Sequence, residues 1–489
     1  MTLSYIPSDT NDEGILKATA SGVLPNGKTV IVNADGTVSV VAGTSPSESL
    51  GSDVTFSAAT TAWTASAFDS TNNKVVVAWS DGGNSYYGSA RVGTIDPSDN
   101  SISWGTEVTF VSSTVQYLSA CFDSANGKIV IAYQAQGDAF QCKAIVGTVS
   151  GTDLSFGSPV ALTSGETKWI NIAYDTSASK VVVVYWTAGT NVGKARVGTV
   201  SGTGISFGTE ASTVSAIVQG AVVYHASAER IVTAGRLDGN TANSAVGVIS
   251  GTNISFGSAT AYGTSNAQKN ANTLGYDSAS EKVVVFYKDE GASGNGKASV
   301  GTVDASNNSI SFATAVTVTT DTVDKTSVQG FSTAGKIIFV YSDTTNTKGD
   351  LKVGTISGTT LSVGSELNVR NGGHVQYWAL CEDTTNDRIV IAYEASGGNS
   401  HGISNVYIPA YTSTNLTAEN YIGISTGGTY ASGSNATVKI IGNTSNDQSS
   451  LTAGQSYFVQ VDGTIGTTAD DPSVFAGTAI SATKLIVKT

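Results

Sequence analysis

The stretch FDSTNNKVVVAWS, residues 68–80, reads as two short strands joined by a polar turn: an aromatic and an Asp, then small polar residues, then a Lys opening an apolar run. It returns as FDSANGKIVIAYQ from Phe122, YDTSASKVVVVYW from Tyr174 and YDSASEKVVVFYK from Tyr276. Aligned on the basic residue, the chain holds seven copies, at Lys74, Lys128, Lys180, Arg230, Lys282, Lys336 and Arg388, spaced by 54, 52, 50, 52, 54 and 52 residues. Five residues after each basic residue stand Trp79, Tyr133, Tyr185, Gly235, Tyr287, Tyr341 and Tyr393, so the fourth copy alone lacks the aromatic.

A third strand ends in RVGT, IVGT, RVGT, AVGV, SVGT or KVGT, and a turn such as SGTD leads to a fourth such as LSFGSPVAL. Four antiparallel strands with a period near 50 predict a β-propeller blade, because a lone four-stranded sheet needs neighbours over both faces. Solenoid repeats are usually shorter and tandem sandwiches longer. The expected fold is therefore all-β, a seven-bladed β-propeller of four-stranded antiparallel blades.

The seventh copy has no fourth strand of its own. LGSDVTF, residues 50–56, matches WGTEVTF, residues 104–110, and supplies it from the N-terminal side, closing the ring and removing an exposed edge. LPNGKTVIVNADGTVSV from Leu24 aligns without gaps to LTAGQSYFVQVDGTIGT from Leu451, each a strand, an Asp-Gly turn and a strand. The expected organisation is residues 1–48 as the N-terminal part of a β-module, 49–411 as the propeller with 49–57 as the outer strand of the last blade, and 412–489 as the C-terminal part. The two ends form one discontinuous module or two small ones.

Gly, Ser, Thr, Asn and Val dominate, and no amphipathic helix is evident. The formal charge of -13, with dispersed Lys and Arg, argues against nucleic acid as a partner. No leader pattern opens the chain and no run approaches a membrane span, so the expectation is cytoplasmic synthesis without membrane insertion. Cys121, Cys142 and Cys381 lack disulfide or zinc spacing and read as small buried residues. Turn aspartates Asp69, Asp123, Asp175, Asp277 and Asp383 read as hairpin caps rather than cation ligands, so no metal and no cofactor is expected.

The turns between first and second strands repeat closely, whereas the loops between second and third strands diverge: SDGGNSYYGS, QAQGDAFQC, RLDGNTANS, KDEGASGNG, SDTTNTKGD and EASGGNSHG. Divergence among copies marks that face as the place for recognition. Its candidate ligand-binding residues are Trp63, Tyr117, Trp169, Tyr377 and Trp378 at the crossovers, with Tyr86 and Tyr87 in a loop, since aromatic faces suit sugar rings. The competing reading is that the crossover rings begin the inner strands and pack between blades.

No catalytic residue is assigned, and the chain is expected not to be an enzyme. His225 replaces a turn Asp, and no catalytic signature with defined spacing is present. Loop carboxylates Asp138, Asp238, Asp289, Glu290, Asp343 and Glu394 include the only candidates for an acid and base pair in glycoside cleavage, with solvated loop charge as the plain alternative.

NLTAENYIGIS, LTAGQSYFVQVDGTIGTT and VFAGTAISATKLIVKT resemble a terminal module of structural proteins of tailed bacteriophages, especially those of marine cyanobacteria. GVLPNGKTVIVNADGTVSVV is similar to its usual companion. The resemblance covers roughly the last 75 and first 45 residues, and the repeats are similar to those of phage fibre-like proteins. It implies a virion structural protein, a tail or capsid appendage in multiple copies. The terminal module would join other virion proteins, and the variable face would touch a host surface polysaccharide or receptor. The alternatives are a structural connector or decoration protein and a glycan-active propeller enzyme, a lyase or hydrolase.

Overall fold

A computed structural model describes residues 14–44, 46–189, 192–213, 217–237, 242–263, 273–396, 400–411, 413–470 and 472–488. The chain divides into two compact units, Glu48–Pro409, and Met1–Ser47 with Ala410–Thr489. Both are built of antiparallel sheets, none closed into a barrel, and the arrangement of the larger is propeller-like. Among the described residues there is no α-helix, and no helix long and apolar enough to cross a membrane.

In the larger unit each repeat is a meander. In the second repeat Lys128–Ala135 pairs with the inner strand ending at Asp123 and with Gln141–Ser150, which in turn pairs with Asp153–Phe156. The turn aspartates explain the hairpins. Asp123 Oδ1 accepts from the backbone N–H groups of Ala125 and Asn126, both at 3.1 Å, and its Oδ2 accepts from Asn126 Nδ2 at 2.8 Å. Asp69 and Asp383 make the same three bonds. This local capping holds the turn without any ion. The recurrent basic residue also has a structural use: Lys74, Lys128 and Lys336 donate to Thr94, Thr148 and Thr355, each at 2.9 Å, tying the second strand to the Thr of the third.

Second strands are covered on both faces, which is why they read as unbroken apolar runs rather than alternating ones. Val75, Val76, Val77, Ile129, Val130 and Ile131 are all fully buried. So are Trp79, Tyr133, Tyr185, Tyr287, Tyr341 and Tyr393. Burying one such side chain contributes roughly 1.5–3 kcal/mol. Where the fourth repeat has Gly235, Tyr262 from the following crossover sends its hydroxyl to the Gly235 carbonyl at 3.3 Å, so a ring from outside the pattern occupies the vacated neighbourhood.

The first strands lie side by side in chain order. Thr61–Asp69 packs on Val108–Asp123, which packs on Thr167–Asp175, and the series continues through Ile217–His225, Thr273–Asp277 and Val316–Phe331 to Val375–Asp383, which packs back on Thr61–Asp69. Two strands, Val108–Asp123 and Val316–Phe331, run unbroken from the outer edge of one repeat to the inner edge of the next. The N-terminal segment joins the last repeat: Ser49–Leu50 and Val54–Ser57 pair with His401–Ile408 in the register Leu50 to Tyr407 and Val54 to Ser404. Phe56 is fully buried against Trp79 and over Gly402, where any side chain would meet its ring. Gly51 approaches the Asn100 carbonyl of the first repeat so closely that a Cβ would strike it; Gly105 and Gly157 stand in the same relation to Thr152 and Thr203 one repeat onward.

The smaller unit interleaves the chain ends. One five-stranded sheet runs Ile15–Thr19, Asn435–Lys439, Tyr421–Thr426, Thr29–Val32 and Val38–Val40; a second is wholly C-terminal, from Thr444–Ser445 to Ile465–Gly466, and Gly43–Thr44 pairs separately with Ser413–Thr414. Both contribute to one core, in which Ile31, Tyr421 and Ile424 meet Tyr457, Val459 and Leu485. The matched Asp-Gly turns sit between Thr29–Val32 and Val38–Val40, and between Ser456–Val459 and Ile465–Gly466. Cys121, Cys142 and Cys381 are buried free thiols, and burial raises the pKa of each.

Candidate functional site

Near its start each of several first strands carries a bulge. Ala62 pairs with Ser80 and Ala65 with Ala78, so Trp63 and Thr64 together oppose Trp79. The same two-against-one arrangement places Tyr117, Trp169 and Tyr377. All four residues have left-handed backbone, with φ of 51°, 51°, 55° and 52°. Glycine usually fills that position at a bulge, and a bulky residue there costs of order 1–3 kcal/mol. Lys325 is the corresponding residue of the sixth repeat, at φ 43°. Part of the cost is offset by neighbours: Thr64 donates its hydroxyl to the Tyr377 carbonyl, and Thr64 is itself buried.

The bulges turn the rings toward one another. Trp63 lies 4.2 Å from Tyr117 and 4.8 Å from Tyr377 between ring centroids, and Tyr117 lies 5.0 Å from Trp169. The result is an arc in the order Tyr377, Trp63, Tyr117, Trp169, all half-buried. Lys168 stands beside Trp169, paired with Glu166 at 2.8 Å and 5.6 Å from the centre of Trp186.

A cavity of about 400 Å³ opens against this arc. Trp63, Tyr377 and the exposed Tyr86 give it aromatic walls, and Gln116, Gln136 and Gln376 give it amides. Glu394 is the one carboxylate among its described lining residues. It sits in Arg388–Ala395, opposite Gln376 and Gly402, and is 6 % exposed. Burial raises its pKa, opposed by a hydrogen bond from Ser400. The Tyr377 hydroxyl is pushed up to about 12, first by burial and then by the proximity of Glu394, Tyr117, Tyr86 and Asp324. A buried carboxyl beside rings and amides can hydrogen-bond the hydroxyls of a polyhydroxylated ligand.

The sequence-derived candidates divide. Trp63, Tyr86, Tyr117, Trp169 and Tyr377 gather on this side, whereas Tyr87 opens the strand Tyr87–Asp96 opposite Asp81. Trp378 does not join them: the bulge sends it inward, 8 % exposed, with Nε1–H donating to Ser342 Oγ at 3.2 Å and its ring 5.1 Å from Tyr393. It is a core residue between two repeats. Of the loop carboxylates, Asp138 pairs with Lys143, Glu290 with Lys288 at 3.0 Å, and buried Asp289 with Lys297 at 2.7 Å. Asp343 caps the Thr345 N–H at 2.8 Å, and Asp238 lies outside the described residues. Among the described members of that set, Glu394 alone lines the cavity. His225 accepts from the Ala228 N–H at Nδ1 and meets the Glu281 carbonyl through Nε2, the turn role its position suggested. Among the described residues no cluster of three or more His, Cys, Asp or Glu is arranged to hold a metal ion.

No family model matches the chain, and no curated protein matches it. Among solved structures it is similar to a periplasmic gluconolactonase of Pseudomonas aeruginosa, at 12% identity over 74% of this chain and 96% of that one, with a TM-score of 0.48. It is also similar to NanB in complex with Optactamide, at 12% identity over 73% of this chain and 70% of that one, with a TM-score of 0.43. Similarity at this level does not say what the present chain does. The expectation of a host-contacting phage tail or capsid appendage does not stand: no family model and no curated protein matches, and the two solved structures named here are a gluconolactonase and NanB.

Proposed function

We propose that the seven repeats close into a seven-bladed propeller, fastened by residues 49–57, and that its divergent face binds and cleaves a glycan. The cyclic packing of the first strands supports the ring. The glycan reading is carried by one observation: four bulky aromatic residues occupy left-handed bulge positions on the first strands of four repeats, with their rings 4.2–5.0 Å apart. Glycine would relieve that backbone, so the rings themselves are what the position retains. An arc of mutually tilted rings beside amides matches a sugar, whose apolar face covers the rings while its hydroxyls meet Gln116, Gln136 and Gln376.

In this reading Glu394 is the proton donor. Its O–H proton passes to the glycosidic oxygen as the C–O bond breaks, and water adds to the sugar carbon while giving its own proton to a second carboxylate or back to the Glu394 carboxylate. Canonical hydrolases pair such an acid with a second carboxylate. Asp324, which acts electrostatically on Tyr377 and is paired with Lys325 at 3.1 Å, is the one to test for that part.

The test is release of soluble oligosaccharides from a panel of polysaccharides by the wild-type chain and by Glu394→Gln. Loss of release by at least about 100-fold with binding retained is the expected result, as for removal of a general acid. Because the acid must be protonated, the wild-type rate should fall as pH rises through the raised pKa of Glu394. Binding without any release by the wild type would reduce the protein to a glycan-binding module, and no binding at all would end the reading.

A further inference from the structure

The opposite ends of the first strands enclose a second and larger cavity, about 640 Å³, to which every repeat contributes. Its rim is set by the residue just before each turn cap. Five repeats in succession place an aromatic there, Phe68, Phe122, Tyr174, Tyr224 and Tyr276; the sixth has Gly330 and the seventh Glu382. The tyrosines are anchored to the preceding repeat: Tyr174 Oη accepts from the Ala125 N–H at 3.3 Å and Tyr276 Oη from the Ser227 N–H at 3.4 Å. Such tethering keeps the rings along the rim rather than out in solvent.

Glu382 lines the same cavity from the seventh repeat, while at Gly330 the chain runs so close to the Tyr276 carbonyl that a Cβ would strike it. Glu382 Oε1 accepts from Ser332 N–H at 2.6 Å and Ser332 Oγ at 2.7 Å, which fixes the carboxylate at the cavity wall. The neighbouring charges that act on it are Asp387 and Asp383, both negative. Asp383 is engaged as a turn cap, and Asp387 accepts from Thr333 Oγ1. The site thus combines a cavity of about 640 Å³, aromatic residues of five repeats in its lining and a fixed carboxylate with anionic neighbours, in a chain of formal charge -13.

From this geometry we infer that the cavity at the turn ends of the first strands is a binding site for an organic cation, an alkylammonium group held by Glu382 and ringed by Phe68, Phe122, Tyr174, Tyr224 and Tyr276. Aromatic rings attract a cation through their quadrupole, most strongly where water is displaced. The carboxylate supplies the charge partner that a neutral ligand would leave unused. A sugar fits this end less well, since Ala120, Ile172, Leu274 and Leu380 stand in the wall and Gln329 is the one amide among its described lining residues, against three at the other cavity. Burial raises the pKa of Glu382, so a bound cation, which favours the ionised form, should release a proton in acidic solution.

The experiment titrates the full chain with tetramethylammonium and with its neutral isostere neopentane-like alcohol, tert-butanol, following tyrosine fluorescence and the ligand methyl signals by NMR. Saturable binding of the cation, with upfield methyl shifts and at least tenfold weaker binding of the alcohol, is expected. Glu382→Gln should lose at least tenfold in affinity, and wild-type affinity should fall as pH is lowered through the pKa of Glu382. Trp63→Ala, at the other cavity, should leave cation binding unchanged, which separates this site from the glycan site. Equal binding of alcohol and cation, or an unchanged affinity in a folded Glu382→Gln chain together with a flat pH profile, would overturn the assignment.

Discussion

The two ends of the first strands follow opposite rules. At the turn end the sequence repeats and the left-handed residue before the basic one is small or polar, as at Asn73, Ser179 and Asp387, while Asp69, Asp123 and Asp383 make the same three hydrogen bonds. At the crossover end Trp63, Tyr117, Trp169 and Tyr377 are held at positive φ over bulges, while the loops around them differ from copy to copy. Uniform capping lets one hairpin be copied many times, whereas strain concentrated on bulky side chains marks positions kept for what the side chain does.

The comparison breaks most visibly at the seam. Phe56→Ala removes a fully buried ring from the segment that completes the last repeat and should cost about 3–5 kcal/mol, read as a shift in a urea unfolding midpoint. A loss below about 1 kcal/mol would mean that the 49–57 segment does not hold the last repeat. Trp79→Ala, in the repeated buried position, should cost a similar amount, but Trp63→Asn should change stability by no more than about 1 kcal/mol, because relief of left-handed strain offsets lost ring contacts. A large loss at Trp63 would turn the arc into ordinary packing. The smallest effect belongs to the caps: Asp123→Ala should cost about 1 kcal/mol, and a null result at all the turn aspartates would remove the uniformly capped half of the contrast.

Most of the repeat was readable because its signals are local and recur. Polar turns, apolar second strands and the aromatic five residues after the basic residue each follow from burial and hydrogen bonding within one hairpin. The N-terminal strand was found because residues 50–56 copy residues 104–110. Bulges were not readable: in AWTA, QYLS, KWIN and QYWA the residue of positive φ is Trp or Tyr, neither glycine nor asparagine. That is why Tyr377 and Trp378 appeared equivalent, although a bulge places one on the open side and the other in the core. Glu394 was hidden among loop carboxylates. Its signal was positional: the residue after the repeated aromatic is Ser80, Gln134, Trp186, Arg236, Lys288, Ser342 or Glu394, a carboxylate in one copy alone. The rim aromatics at the turn end passed as hairpin residues, since facing a shared cavity is a property of neighbouring repeats rather than of any one.

Binding of the wild-type chain and of Trp63→Asn to an immobilised panel of glycans tests the central claim most directly. The account expects the wild type to retain a defined class of glycan and the variant, equally folded by its melting temperature, to lose at least tenfold in affinity for it. Undiminished binding by Trp63→Asn would show that the strained aromatic arc is not the recognition surface.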